Sequence, residues 1–167
     1  MNYNQNLLLI KDHFPNTDFI SEEDFSLFDN EQFAKKVFNY LCESVDNINN
    51  KLQLNIHFGF RFNRTFNATA YHKEDVNIII VNHGLINQIE PIIENSLKTF
   101  LKEGFTVSSG FPIDKNVLME LFVYLISSYL FYHELGHIIQ FNFSKEEGIA
   151  TFNEEYSSSE YKEKNHM

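Results

Sequence analysis

The amino-acid sequence predicts an α+β domain in which a small antiparallel sheet of about three strands packs on helices. Three observations support this prediction. Apolar residues recur at helical spacing over 31–49, alternate with polar residues over 52–62, and form a long run over 117–132. The 167 residues, 43% of them hydrophobic, suffice for one sizeable core, so we expect residues 1–167 to form a single domain.

The first clear element is an amphipathic helix over about 31–49, where apolar residues recur every four positions. Asn30 precedes it and is the expected N-cap, because an asparagine side chain accepts hydrogen bonds from the first free amides of a helix. Before it, Ser21 stands ahead of three acidic residues and predicts a short capped helix. The rest of residues 1–29 gives no clear pattern.

Three strands are predicted next, over about 52–62, 66–72 and 76–82. The first shows strict alternation, which places His57 on its polar face, where we expect it to be solvated. The third contains the continuous apolar run NIIIV at 77–81, which is typical of a strand buried on both faces. The short turns between the strands favour an antiparallel meander.

Two helices complete the pattern. The first is predicted over about 85–103, with Pro91 either kinking it or splitting it in two. The second is predicted over about 115–141 with Asp114 as its N-cap, and it includes the apolar run 117–132. That run has 16 residues and so falls short of the roughly 18–20 that span a bilayer.

Charge and cysteine content exclude several classes of function. The net charge is −10, with 13 basic against 23 acidic side chains, which argues against nucleic acid or an anionic membrane as a partner. The single cysteine, Cys42, excludes an intrachain disulfide and is expected to be a buried small hydrophobe. The first residues contain no basic segment ahead of their short apolar run, so a cytoplasmic protein is expected.

The segment YHELGHIIQ, residues 132–140, carries the chemistry. On a helix His133 and His137 lie one turn apart on one face, so both imidazoles reach one ion. Glu134 lies about 100° round the helix from His133, where it flanks the ion as a general base without ligating it. This HExxH spacing predicts a zinc site. The alternative is a core helix with two satisfied histidines, a solvated Glu134 and no metal.

The order of elements, together with IIIVNHGLI and YHELGHII, resembles the zincin metallopeptidases. It is similar to the Lit-type phage-exclusion peptidases and, more distantly, to the ImmA/IrrE-type bacterial regulators. The resemblance implies a zincin-like fold with HExxH on a long buried helix, Zn²⁺ held by His133 and His137, and Glu134 as the catalytic base. It also implies a protein or peptide substrate that pairs with an edge strand, for which Phe66 to His72 is the candidate.

A catalytic zinc needs three protein ligands and one open position. The polar segment 142–167 offers Glu154 and Glu155 in NEEYS, which faintly resembles a zinc-ligand motif of thermolysin-like enzymes. Glu160 and His166 are further options. Two alternatives therefore stay open: one of these residues completes the site, or the third ligand lies beyond the end of this chain.

The leading hypothesis is a zinc-dependent peptidase in which metal-activated water attacks a peptide carbonyl and Glu134 moves the proton. The alternative is a catalytically inactive zincin-like binding or regulatory module, and a third hypothesis is a metal-free α+β domain. Tyr71, His72 and His83 are candidates for stabilising an oxyanion, although each is expected to be structural. The sequence indicates neither the substrate nor the oligomeric state.

Overall fold

The computed structural model describes residues 3–102, 114–144 and 148–151. These residues form four α-helices, five strands and one 3-10 helix, and the chain is of mixed α+β type. In chain order the elements are α1 (Tyr3–His13), β1 (Phe19–Ile20), a 3-10 helix (Glu22–Leu27), α2 (Glu31–Leu52), β2 (Ile56–Arg61), β3 (Ala68–Lys73), β4 (Val76–Asn82), α3 (His83–Lys102), α4 (Lys115–Ser144) and β5 (Gly148–Thr151).

The sheet is mixed, and the prediction of a purely antiparallel meander is wrong. Within the described residues the strand order is β1-β2-β4-β3-β5. β3 and β4 form the expected antiparallel hairpin, but β2 pairs with β4 in parallel and not with β3. The cause lies in β4, whose residues Ile78 to Val81 are almost fully buried, so it occupies the centre of the sheet.

Parallel pairing of β2 with β4 forces the chain to cross the end of β4. The β2–β3 connection (residues 62–67) passes over Asn82 and the first turn of α3 before β3 begins. Backbone hydrogen bonds fix this crossing: the Gly84 amide donates to the Asn63 carbonyl at 2.9 Å, and the Asn82 amide donates to the Asn67 carbonyl at 3.1 Å. The Asn82 side-chain amide also donates to Thr65 Oγ1 at 2.7 Å.

Phenylalanine fills the core between the sheet and α2. The buried side chains of β2, including Phe58 and Phe60, meet Phe38 of α2 and Phe25 of the 3-10 helix. Some ring pairs in this layer are edge-to-face, for example Phe25 and Phe38 with centroids 5.0 Å apart, and others are tilted, as between Phe38 and Phe58. This layer places α2 on the face of the sheet that α4 also covers.

Helix α1, which the sequence pattern does not predict, covers the other face and the edge of β2. Tyr3 Oη donates to the Ile20 carbonyl and accepts from the Phe60 amide. Asn6 Nδ2 donates to the Phe58 carbonyl at 2.6 Å. Two of these bonds satisfy backbone groups of β2 at its edge with the two-residue β1, and the third satisfies a carbonyl of β1 itself. The helix also contacts Gly59, where an added Cβ would lie 3.0 Å from Leu7.

Helix boundaries follow the sequence signals closely. The Asn30 side chain accepts from the Phe33 amide, as the N-cap prediction requires, and α2 begins at Glu31. Pro91 lies within one continuous helix, α3, so a split at this proline is ruled out. The Ser21 prediction is only half right. Ser21 precedes the 3-10 helix, but its side chain makes no capping bond to the backbone and instead donates to Asp24 at 2.6 Å.

His57 is not the solvated side chain that strand alternation predicts. It is half-buried beneath α1, and its Nδ1 lies 2.6 Å from Asn6 Oδ1. Because Asn6 Oδ1 is an acceptor, Nδ1 is the donor in this pair. Helix α1 packs on the polar face of β2 and therefore half-buries His57, which would otherwise be exposed to solvent.

Among the described helices, none has the combination of length and apolar character that crossing a bilayer requires.

We expect Gly84→Ala to destabilise the fold. A Cβ at this position would lie 2.2 Å from the carbonyl carbon and oxygen of Arg64, so the β2–β3 connection would have to move. Overpacking of this kind costs about 1–3 kcal/mol. The check is the free energy of unfolding measured by urea denaturation.

Gly136→Ala is the matched control. Gly136 lies on the exposed side of α4, and no described atom lies within 4 Å of an added Cβ. Alanine in a helix interior is favoured over glycine by about 0.5–1 kcal/mol, so this variant is expected to be more stable than the wild type. Equal unfolding free energies for Gly84→Ala and the wild type would contradict the crossing geometry.

A second expectation concerns pH. Burial, and to a smaller extent the charge of His13, lowers the pKa of His57 below its ordinary value of 6.5. Below that value the unfolded chain binds the proton more readily than the folded chain. The stability that depends on neutral His57 is therefore complete above about pH 6.5 and is lost as the pH falls.

The measurement is urea denaturation at about pH 7 and at about pH 5 for the wild type and for His57→Gln. We expect the unfolding free energy of the wild type to fall more over this interval than that of the variant. An equal fall in both proteins would show that His57 does not contribute to the pH dependence.

Candidate metal centre

Helix α4 presents one face to the core and the other to the outside. Buried side chains recur at helical spacing along it, including Val123, Leu130, Glu134 and Ile138. The opposite face is exposed, for example 61% at Tyr129. The resemblance to zincins implied a long buried helix, whereas α4 is buried along one face only.

Both ends of α4 are fixed. At the start, Asp114 Oδ1 accepts from the Asn116 amide at 2.7 Å, as expected of an N-cap aspartate. Near the other end, Asn142 Nδ2 donates to Asn77 Oδ1 of β4 at 3.0 Å. His72 Nδ1 lies 2.8 Å from the same oxygen. A polar network on the sheet therefore holds the last turns of α4, which come just after the turns that carry His133 and His137.

The two histidines of the motif converge. His133 and His137 lie at the flank of the buried face, where both are half-buried. Their Nε2 atoms are 3.3 Å apart, and their rings meet at 82°. The ring of Tyr129 lies one turn earlier, with its centroid 5.9 Å from that of His133. The spacing in the sequence thus brings the Nε2 atoms of the two rings close together.

This separation fits a zinc ion. Two nitrogens that each lie about 2.05 Å from a metal at the tetrahedral angle are about 3.3–3.4 Å apart. The alternative is a hydrogen bond in which one imidazole donates to the other. The observed 3.3 Å is just beyond the roughly 2.7–3.2 Å typical of such bonds and also matches the separation of two ligands of one tetrahedral ion.

Glu134 occupies the core-facing side of the same turn and is 0% exposed. Its carboxylate is thus not the solvated group of the metal-free alternative. A carboxylate enclosed in this way is shielded from bulk water.

The described residues bring two candidate ligands together, and no group of three or more His, Cys, Asp or Glu side chains suited to a metal occurs among them. The candidates for the third ligand, Glu154, Glu155, Glu160 and His166, lie outside the described residues. The two histidines fit zinc, and the rest of the coordination shell stays a prediction.

The three side chains considered for oxyanion stabilisation are engaged elsewhere. Tyr71 packs edge-to-face on Phe14, next to α1 and away from α4. His72 stacks on Phe141 and belongs to the network with Asn77. His83 Nδ1 accepts from the Asn63 amide at 3.0 Å. These contacts agree with the structural roles expected for all three.

The candidate strand for substrate pairing is not at an edge. The strand predicted over Phe66 to His72 corresponds to β3, which lies between β4 and β5. β5 pairs antiparallel with it, with Thr69 opposite Thr151 and His72 opposite Gly148. Sequence reasoning missed β5 because its four residues fall in a polar, acidic segment. A peptide that adds to this side of the described sheet would meet β5 first.

No family model, curated protein or solved structure matches this chain. The chemistry of the site is therefore argued from its own residues.

We expect the purified protein to bind zinc through the histidine pair. His133→Ala and His137→Ala should each lower zinc affinity by at least about 100-fold, because loss of a ligand exceeds the 10–100-fold effect of removing an outer-shell partner. The measurements are elemental analysis after dialysis and titration with Co²⁺, whose absorption reports tetrahedral coordination. His13→Gln is the control and should bind as the wild type does. Unchanged zinc content in both alanine variants would exclude this site.

Proposed function

We propose that this protein is a zinc-dependent peptidase of zincin-like architecture. The proposal is supported above all by the Nε2 atoms of His133 and His137, which lie 3.3 Å apart with Glu134 buried in the same turn. Two imidazoles and one carboxylate in this arrangement form the HExxH combination of metal ligands and general base. The third ligand is proposed to come from a residue outside the described part of the chain.

Each residue has a distinct role in the proposed reaction. His133 and His137 hold the ion through Nε2. When bound, zinc supplies Lewis-acid activation of a water molecule and of the peptide carbonyl. A Glu134 carboxylate oxygen takes the proton from the attacking water and then delivers it to the leaving amine. Because Glu134 is fully buried, its proton is retained at the site between these two transfers.

The substrate is proposed to be a protein or peptide bound in extended form. Helix α4 packs against β3 as well as against α2 and α3, and β5 is the neighbouring edge strand of the described sheet. Backbone amides and carbonyls along an edge strand pair with an extended peptide by strand addition. Exposed Gly136 keeps the motif helix free of a side chain at one position of its outer face. The only cysteine is not part of a disulfide, which is in keeping with a cytoplasmic location.

A second candidate is a catalytically inactive module that binds metal or peptide. One observation favours it: the described residues provide two metal ligands and not three. A site of this kind binds zinc weakly and fills its remaining positions from solvent or from a partner. It would keep the histidine geometry and lack turnover.

Glu134→Gln separates the two candidates. In a peptidase this change removes the general base, so we expect cleavage to fall by about 10²–10⁴-fold while zinc content is kept. The assay follows new α-amino groups and fragment masses from an unfolded protein such as reduced casein. Glu120→Gln is the matched control on the same helix, because Glu120 is exposed and pairs with Lys36 at 3.3 Å, away from the histidine pair. This control should retain full activity.

Two outcomes would contradict the peptidase proposal. Cleavage that persists in zinc-loaded Glu134→Gln would show that another group acts as the base. A zinc-loaded wild type that binds the metal through both histidines but cleaves neither casein nor a mixed peptide library would favour the inactive module.

A further inference from the structure

A pocket of about 510 Å³ opens at the carboxyl ends of the parallel strands β2 and β4. It shares no residue with the HExxH motif. Its walls come from the β2–β3 connection, the first turns of α3 and the segment after the 3-10 helix. The crevice outside the carboxyl ends of parallel strands is where open α/β sheets bind ligands. Its volume lies within the range of small-molecule sites.

One wall of the pocket is an aromatic surface. Phe62 stacks flat on His83, with ring centroids 4.6 Å apart and an interplanar angle of 5°. His83 supports one side of the phenyl ring, yet Phe62 remains 46% exposed. An aromatic ring that is held from behind and open in front favours a flat, unsaturated group as its ligand.

His83 also presents an unused hydrogen-bond donor. Its side chain is 4% exposed, and its Nδ1 accepts from the Asn63 amide. Burial lowers the pKa of His83, so the ring is neutral near pH 7 and carries its proton on Nε2. No described residue accepts a hydrogen bond from this Nε2. The Nε2–H group of His83 is therefore a nearly buried donor at the pocket wall, and a bound ligand can supply its acceptor.

Charges of both signs line the same space. The chain contains only two arginines. Arg61 is the last residue of β2, and Arg64 follows three positions later. Arg61 is bound to Asn82 through Nε at 2.8 Å, whereas Arg64 lines the pocket and is exposed. Asp29 lines the opposite part, and the Asn87 amide lies beside it, with Oδ1 accepting from the Asp29 backbone amide.

The pocket walls are pre-organised by the crossing of the β2–β3 connection. The backbone of Arg64 lies directly on Gly84, and the Arg64 carbonyl accepts from Gln88 Nε2 at 3.2 Å. Phe62 is held through its amide, which donates to the Asp18 carbonyl at 2.8 Å. A ligand would therefore meet an arginine and an aromatic ring whose backbones are already fixed.

We propose that this pocket binds a nucleoside monophosphate. The base stacks on the open face of Phe62, and the Asp29 carboxylate and the Asn87 amide accept from and donate to its edge. The phosphate is bound by the Arg64 guanidinium and the Nε2–H of His83, because arginine pairs with phosphate through two parallel hydrogen bonds. This proposal is independent of the peptidase proposal. A single nucleotide needs one cationic contact, so the acidic net charge that argues against nucleic acid does not argue against it.

The test is titration of the full-length ¹⁵N-labelled protein with AMP, GMP, CMP and UMP, followed by the amide resonances of Arg64, Gly84 and Gln88. We expect saturable binding of at least one of the four. The matching nucleoside lacks the phosphate, and inorganic phosphate lacks the base. Each should bind at least tenfold more weakly than the nucleotide, since stacking and charge pairing contribute separately.

Substitutions locate the site. Phe62→Ala and Arg64→Gln should each weaken nucleotide binding by about tenfold, because each removes one of the two contacts. The matched controls, Phe143→Ala and Lys98→Gln, remove an exposed ring and an exposed cation elsewhere and should bind within about twofold of the wild type. Zinc-free His133→Ala should also bind normally, which separates this test from that of the peptidase.

Two results would overturn the proposal. One is the absence of resonance shifts at Arg64, Gly84 and Gln88 with all four nucleotides at millimolar concentration. The other is binding that neither Phe62→Ala nor Arg64→Gln weakens, with circular dichroism showing both variants folded.

Discussion

The parallel pairing of β2 with β4 is the constraint on which the rest of this structure depends. Because β3 follows β2 in the chain but lies on the far side of β4, residues 62–67 must cross the end of the central strand. The crossing lies where α3 begins, and Gly84 is the position at which the two backbones meet. Side chains of Asn82 and Gln88 bind the crossing segment from below.

The candidate metal centre depends on the opposite end of the same sheet. Asn77, at the start of β4, is the common acceptor for Asn142 of α4 and for His72 of β3. These contacts join the last turns of α4 to two strands, and the histidine pair lies about one and a half to two and a half turns earlier. The end of the helix that carries the candidate metal centre is thus held by a polar network whose sheet residues, His72 and Asn77, are buried and which contains neither candidate ligand.

Central placement of β4 therefore produces two sites of different character. At its carboxyl end the chain crossing creates a polar pocket with one aromatic wall. Near its amino end the network around Asn77 holds the helix that carries His133, Glu134 and His137. The two sites share no residue, so their ligands and their chemistry are separable by substitution.

The sequence by itself determined the elements with strong local signals. It predicted α2 and its Asn30 cap, the three strands near 52–82, the two later helices, and the one-turn spacing that directs His133 and His137 at one ion. These features follow from side-chain periodicity and from caps, which are properties of neighbouring residues. The sequence placed Glu134 beside the histidines but did not indicate its full burial, which the structure shows.

Tertiary structure alone decided how those elements pair and what covers them. Antiparallel and parallel partners for β2 are equally compatible with its alternation, and the burial of β4 places that strand at the centre, between β2 and β3. Helix α1 is held in place because Tyr3 and Asn6 form hydrogen bonds with backbone groups at the open edge of β2. Residues 148–151 form β5 because they pair with the open edge of β3. These partners are distant in sequence, so local sequence patterns do not predict them. The same holds for the pocket at Phe62 and Arg64, which exists only because the chain must cross β4.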